Sequence, residues 1–125
     1  MFKTSAFALG FALMAGVAGA QTTPDPDAAI SAARNQLGVL EYCAAEGHID
    51  NAAAEVQTKM LDMMPAAQDE AAVEAAYQKG KEGTVSAMGV EQSLADAATA
   101  QGSDVAALCG QLSTMVQQAG EQLPK

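Results

Sequence analysis

The two cysteines, Cys43 and Cys109, carry the strongest chemical signal in this 125-residue sequence. Cys43 follows Leu40 by three residues and Cys109 precedes Leu112 by three, which places both on the apolar side of a helical pattern. A redox pair usually has Cys-x-x-Cys spacing and a lowered thiol pKa, whereas most of the chain separates these two. An even cysteine count in a short exported chain predicts a structural disulfide, with redox or metal chemistry as the alternatives. Such a bond would close a loop of about 67 residues and contribute about 4 kcal/mol.

The other side chains that could hold a metal ion or a proton are few. His48 is the single histidine and could act as a pH switch or a ligand, but zinc sites need three or four ligands. We interpret it as a polar linker residue. Asp69, Glu70 and Glu74 form an acidic cluster that could bind calcium, although the alternating-ligand loop is missing and a solvated helix start explains them. We therefore predict no metal and no cofactor.

Catalytic motifs are also missing from the sequence. Residues 80–84 (GKEGT) have the wrong order for a phosphate-binding loop, and no strand pattern precedes them. No serine lies in a Gly-x-Ser-x-Gly elbow, and a nucleophile–base pair would have to use His48, which has no marked partner. We predict that the protein is not an enzyme and has no catalytic residues.

Methionine is the last residue type with chemistry to offer. Five methionines lie beyond the first twenty residues: Met60, Met63, Met64, Met88 and Met115. At helical spacing, in a chain without phenylalanine after Phe11, they are expected to fill the core. The alternatives are an adaptable binding surface and a soft-metal site.

The first twenty residues form a separate unit. Lys3, an apolar stretch over residues 6–17 and the small residues Ala18 and Ala20 predict a secretory signal, cleaved between Ala20 and Gln21. An N-terminal membrane anchor is the alternative, but the apolar run is shorter than the roughly 20 residues that span a bilayer. We expect a periplasmic or secreted protein of a bacterium. Residues 21–25 are then a flexible lead-in, and residues 26–125 form one helical domain.

Charge and composition restrict the partners and the size of the core. The formal net charge is −9, and loss of Lys3 makes the mature chain one unit more negative, which disfavours nucleic acid. Leucine, isoleucine and valine make up about 15% of the mature chain, a proportion typical of disorder. Abundant alanine and clear helical periodicity argue for a folded chain nevertheless.

Residues that typically begin or end helices divide the mature chain into segments. Asp25 and Pro26 begin a first helix that Gly47 ends, and Asp50 begins a second that Pro65 stops. The predicted apolar face of the first helix consists of Ile30, Ala33, Leu37, Leu40 and Ala44. That of the second consists of Ala53, Val56, Met60 and Met63.

The second half is divided less clearly. A third helix begins near Asp69, and Gly80 and Gly83 weaken its later turns, so that its end, at these glycines or at Met88, is open. A short helical segment around Leu94 precedes a last helix. Ser103 caps that helix, and its expected apolar stripe consists of Val105, Leu108, Leu112, Met115 and Ala119. No alternating strand pattern is visible.

These elements predict an all-α fold of four or five short helices in a small alanine-rich bundle. The disulfide Cys43–Cys109 would link the first helix to the last. Oligomeric state does not follow from the pattern, because an apolar face packs equally well within and between chains.

Several stretches resemble small exported helical proteins of Gram-negative bacteria, grouped as a pore-forming family of the early secreted antigenic target (ESAT) type. They are residues 40–43 (LEYC), 46–50 (EGHID), 77–81 (YQKGK), 83–94 (GTVSAMGVEQSL) and 107–109 (ALC). The resemblance covers nearly the whole mature chain, and residues 83–94 are its most specific part. It implies a secreted helical protein that permeabilises membranes, and it assigns no site residues. The chain departs from the ESAT pattern in lacking tryptophan, hence any Trp-x-Gly turn, and in carrying a general export signal.

Two functions follow as expectations. The first is a non-catalytic exported protein that acts on membranes in acid, where protonated carboxylates no longer repel anionic lipid. The second is a periplasmic acid-stress holdase or binding module that takes a protein client. Its size, export and single disulfide suit this class, although the mature chain carries fewer lysines than is typical of it.

Overall fold

The computed structural model describes residues 25–87 and 89–124, which form five helices and one β-hairpin. The elements are α1 (Pro26–Ala45), α2 (Ala52–Asp62), α3 (Glu70–Lys81), β1 (Thr84–Ala87), β2 (Val90–Ser93), α4 (Leu94–Ala100) and α5 (Val105–Gly120). The predicted helical class and the disulfide between the first and last helices are both confirmed. The predicted export signal over residues 1–20, nearly all of the lead-in, Met88 and Lys125 lie outside the described residues.

Capping residues begin the helices close to where the sequence predicts. Asp25 caps α1 by accepting a hydrogen bond from the amide of Asp27 at 3.0 Å, with Pro26 at the first helical position. Asp50 accepts from Ala52 at the start of α2, at 3.0 Å. The predicted cap of α5 is wrong by one residue, because Asp104 and not Ser103 accepts the bond.

The hairpin is the element that the sequence pattern did not reveal. β1 and β2 pair antiparallel from Thr84 opposite Ser93 to Ala87 opposite Val90. Each strand has four residues, too few to establish a period of two. The hairpin follows directly from the end of α3 at Lys81, because Gly83 takes a φ of +87°, which turns the chain out of the helix.

α1 lies at the centre of the fold and packs closely against α3. A Cβ placed on Gly38 would lie 2.3 Å from the carbonyl oxygen of Tyr77, and one on Gly80 would lie 2.2 Å from that of Asn35. The two helix backbones are therefore in direct contact. Gly80, expected to weaken α3, instead permits this approach.

Two clusters of buried side chains form the core, and α1 contributes residues to both. One joins α1, α2 and α5 and contains Leu37, Leu40, Ala53, Ala54 and Val116. The other surrounds the disulfide and contains Val39, Cys43, Leu94 and Cys109. The predicted inward positions Ile30, Leu37 and Leu40 of α1 are confirmed as buried.

The predicted apolar stripe of α5 is confirmed for Val105, Leu108 and Leu112, which pack against the core clusters. It is wrong at Met115 and Ala119, which are exposed. The buried residues of this helix are Cys109, Ser113 and Val116, at spacings of four and three, while Met115 is 64% exposed. The disulfide fixes this orientation, because Cys109 must face Cys43 on α1, with 5.6 Å between their Cα atoms.

Candidate functional site

The predicted disulfide residues form a structural crosslink. Cys43 and Cys109 are both fully buried and bonded to each other, 66 positions apart in sequence. A solvent-accessible, polar environment is what lowers a thiol pKa and makes a cysteine reactive, and this pair has none. The bond holds α5 against α1.

The other candidate ligands are dispersed. His48 is exposed in the turn after α1. Asp69 caps α3 by accepting from the amide of Ala72 at 3.1 Å, and Glu74 forms an ion pair with Arg34 at 3.2 Å. Within residues 25–87 and 89–124, no three histidine, cysteine or acidic side chains are grouped so that they could hold a metal ion.

Residues 80–84, compared above with a phosphate-binding loop, join α3 to the hairpin and contact α1. The side-chain Nδ2 of Asn35 donates to the backbone carbonyl oxygens of Ala76 at 2.9 Å and Thr84 at 3.0 Å. Its oxygen accepts from the amide of Ser86 at 2.9 Å. The buried side chain of Asn35 on α1 thus holds both α3 and β1 in place. Residues 80–84 connect these two elements where they pack against α1.

A polar cluster lies over the same interface. The hydroxyl of Tyr77 donates to Glu41, and this bond, with burial and the charge of Glu41, raises the pKa of Tyr77 to about 12. The guanidinium carbon of Arg34 lies 4.5 Å from the centre of the Tyr77 ring. The hydrogen bond from Gln78, aided by Arg34, lowers the pKa of Glu74. A phenol with so high a pKa stays neutral near pH 7, and its contacts with Glu41 and Arg34 join α3 to α1.

An apolar depression lies between α1, α2 and α5, and we call it the methionine groove. Its volume is about 560 Å³. Four methionines line it: Met60, Met63, Met64 and Met115. The other lining residues are Ala33, Gln36, Gln57, Val116, Ala119 and Leu123. It opens to solvent.

The expectation that the methionines fill the core is wrong for two of them. Met63 is 56% exposed and Met115 is 64% exposed, whereas Met60 and Met64 are partly buried. The orientation of α5 described above, with Cys109 facing α1, accounts for the exposure of Met115. Met63 follows the last residue of α2, where the chain leaves the bundle before Pro65. Exposed methionine was the alternative that the sequence left open.

The apolar surface continues beyond the groove. Met115 also lines a depression shared with Leu108 and Leu112 and another shared with Val39 and Val85. On the opposite side, Met63 and Leu123 belong to a depression next to Val56. Depressions that share Met63 or Met115 therefore follow one another from the end of α2 across α5 to β1.

One buried polar atom in the groove, the side-chain oxygen of Gln57, has no hydrogen-bond partner among the described residues. Gln57 is 3% exposed, and its Nε2 donates to the carbonyl oxygen of Ala33 at 2.9 Å. Its Oε1 is buried and accepts no hydrogen bond from any described residue. The sequence held a weak signal of this, since Gln57 is four residues after Ala53 and three before Met60, on the apolar face of α2.

Comparison with known proteins adds no assignment. No family model matches the chain, and neither the curated proteins nor the solved structures give a match. None of the helices in the described part of the chain is both long enough and apolar enough to cross a membrane.

Proposed function

We propose that this is an exported, non-catalytic binding protein that holds apolar segments of other polypeptides in the methionine groove. The exposure of Met63 and Met115 in the same apolar depression is the observation that supports it most directly. Methionine has three rotatable bonds and a polarisable sulfur, so a surface made of it adapts to different apolar partners. Large apolar surfaces on small proteins commonly mark binding sites.

Acid conditions fit this activity in the periplasm. Asp and Glu side chains ordinarily ionise with a pKa near 4, so acid removes much of the negative charge that repels acidic clients. A chain with so little leucine, isoleucine and valine also loosens readily, which would widen the groove. We therefore expect stronger holding of unfolded clients in acid.

The test is suppression of aggregation. A client that unfolds in acid is incubated at about pH 4 and pH 7, with and without this protein, and light scattering is recorded. We expect less scattering with the protein present and a larger reduction at the lower pH. Unchanged scattering at both values would overturn the proposal.

A matched pair of variants ties the activity to the groove. Met63→Gln with Met115→Gln makes the groove polar and should abolish suppression. Val90→Gln changes a residue that is 67% exposed on β2, outside the groove, and should leave suppression unchanged. Equal losses in both variants would show that the groove is not the binding surface.

Membrane action in acid is the second candidate. The resemblance to the ESAT-type family supports it, as does the extension of the apolar surface from the groove to Val85 on the hairpin. Since no described helix is suited to span a bilayer, the contact would be with the membrane surface.

Dye release from anionic liposomes tests this candidate. We expect leakage at about pH 4 that disappears at pH 7, where the net charge of the chain repels anionic lipid. Absence of leakage at both values would exclude permeabilisation. Leakage without any protection of a client would favour the membrane over the polypeptide as the target.

A further inference from the structure

The Oε1 of Gln57, which has no partner among the described residues, restricts the kind of molecule that the groove would bind best. A buried acceptor without a donor costs about 1–3 kcal/mol, and most folded proteins avoid it. Gln57 lines the groove alongside Met60 and Met63. Because these side chains are flexible, they can move aside and let a donor from a bound molecule reach Oε1.

Charge at the rim gives a second constraint. Asp62 and Glu121 line the depression that adjoins the groove through Met63 and Leu123, and both carboxylates are exposed. Neither forms an ion pair with another described residue. Among the described residues that line this depression, Lys59 is the one basic side chain. The rim is therefore negative, as is the whole chain with its net charge of −9.

The shape of the surface favours a polypeptide. Two depressions that share Met115 follow one another from Met63 to Val85, an arrangement that suits an elongated occupant. Helical walls on both sides, α2 and α5, suit a third helix laid between them, as in other helix-in-groove complexes. A second copy of this chain would bring the same negative charge and be repelled.

Building on the proposed function, we infer that the groove binds a cationic amphipathic helix that carries one hydrogen-bond donor within its apolar face. Its apolar side chains cover Met63 and Met115, and its donor bonds Oε1 of Gln57. Its lysines or arginines lie opposite Asp62 and Glu121. Gln57 is then a residue that determines specificity.

Synthetic helices test the charge. Two amphipathic peptides share one leucine face and carry either lysine or glutamate on the other face, and their binding to the full mature chain is measured by fluorescence anisotropy. We expect the lysine peptide to bind at least about tenfold more tightly, a difference that decreases with salt. Asp62→Asn with Glu121→Gln should weaken it about threefold and flatten the salt dependence. Val90→Gln should change nothing.

A double-mutant cycle tests the donor. The lysine peptide is made with serine or alanine at the centre of its leucine face. Wild-type protein should prefer serine by about fivefold, and Gln57→Met should remove or reverse that preference. The same variant should raise the midpoint of thermal unfolding by about 4 °C, because it removes the unpartnered acceptor. No change in preference would overturn the role of Gln57.

Other outcomes separate this inference from the proposed function. Tight binding of both peptides, or suppression of client aggregation without binding of either, would overturn the cationic helix and leave the holding of apolar segments intact. Absence of all binding and all suppression would overturn both. A dimer that Met115→Gln dissociates would make a second copy the occupant, and vesicle binding that excludes the peptide would make it lipid; each would overturn the inference.

Discussion

The two sides of α1 differ in how closely they are packed and in whether their buried polar atoms form hydrogen bonds. Towards α3, two glycines bring backbones into contact, and all three side-chain hydrogen bonds of Asn35 are made to backbone groups. Towards α2 and α5, large apolar side chains are exposed and Gln57 keeps an unpartnered acceptor. The first side is built for one fixed arrangement. The second is built from adaptable residues, which is where a binding site is expected to lie.

The largest effect on stability should come from removing the disulfide that holds α5, on the second of these sides, against α1. Replacing both cysteines, Cys43→Ala with Cys109→Ala, releases α5 from α1 and should lower the free energy of unfolding by about 4 kcal/mol. Urea unfolding followed by circular dichroism measures it. Because the chain has no other cysteine, wild-type protein in reductant is the matched control. A loss below about 1 kcal/mol would mean that the core positions α5 without the bond.

The close contact of α1 with α3 provides the next test. Gly38→Ala places a methyl group 2.3 Å from the carbonyl oxygen of Tyr77, so the helices must separate, at a cost of about 3 kcal/mol. Gly110→Ala on α5 is the control, because a Cβ there meets nothing within 4 Å. It should stabilise the protein by about 0.5–1 kcal/mol through helix propensity. Similar effects at both glycines would contradict the contact.

The contrast between these two sides also divides what sequence could predict from what it could not. Aspartate caps, Pro26 and the cysteine pair act locally or by count, so the helix starts and the disulfide follow from the sequence. The contact of Gly38 with Gly80 joins residues far apart in the chain. The methionine groove depends on how α5 is turned towards α1, which a helical period alone does not specify for Met115. The disulfide specifies it, because Cys109 must face Cys43.

The hydrogen bonds of Asn35 should be worth somewhat less than the glycine contact. Asn35→Ala leaves the amide of Ser86 and two carbonyl oxygens without their partner, which should cost about 2 kcal/mol. Asn51→Ala, at an exposed helix start whose side chain makes no capping bond, should cost less than about 0.5 kcal/mol. Thermal unfolding of both variants measures the difference. Equal midpoints would show that Asn35 does not hold the hairpin.

A smaller effect is expected at alkaline pH on the same side of the molecule. Folding raises the pKa of Tyr77 from 10.0 to about 12, through the hydrogen bond to Glu41 first and burial second. The folded state therefore holds a proton that the unfolded state releases, and stability present below pH 10 should be lost as the pH rises towards 12. Urea unfolding across this interval measures the loss. Tyr77→Phe should remove that dependence, and an unchanged slope would contradict the bond.

The smallest effect should come from the groove itself, at two neighbouring residues of α5. Met115 is 64% exposed and Val116 is 2% exposed, so truncating each to alanine compares a binding surface with a core. Met115→Ala should change the free energy of unfolding by less than about 0.5 kcal/mol, whereas Val116→Ala should cost about 2 kcal/mol. Urea unfolding of the two variants decides it. If Met115→Ala costs as much as Val116→Ala, Met115 is part of the core, and the two sides of α1 differ less than the structure implies. If it costs nothing, Met115 is a surface residue whose side chain does not serve the core and is available to contact a bound partner.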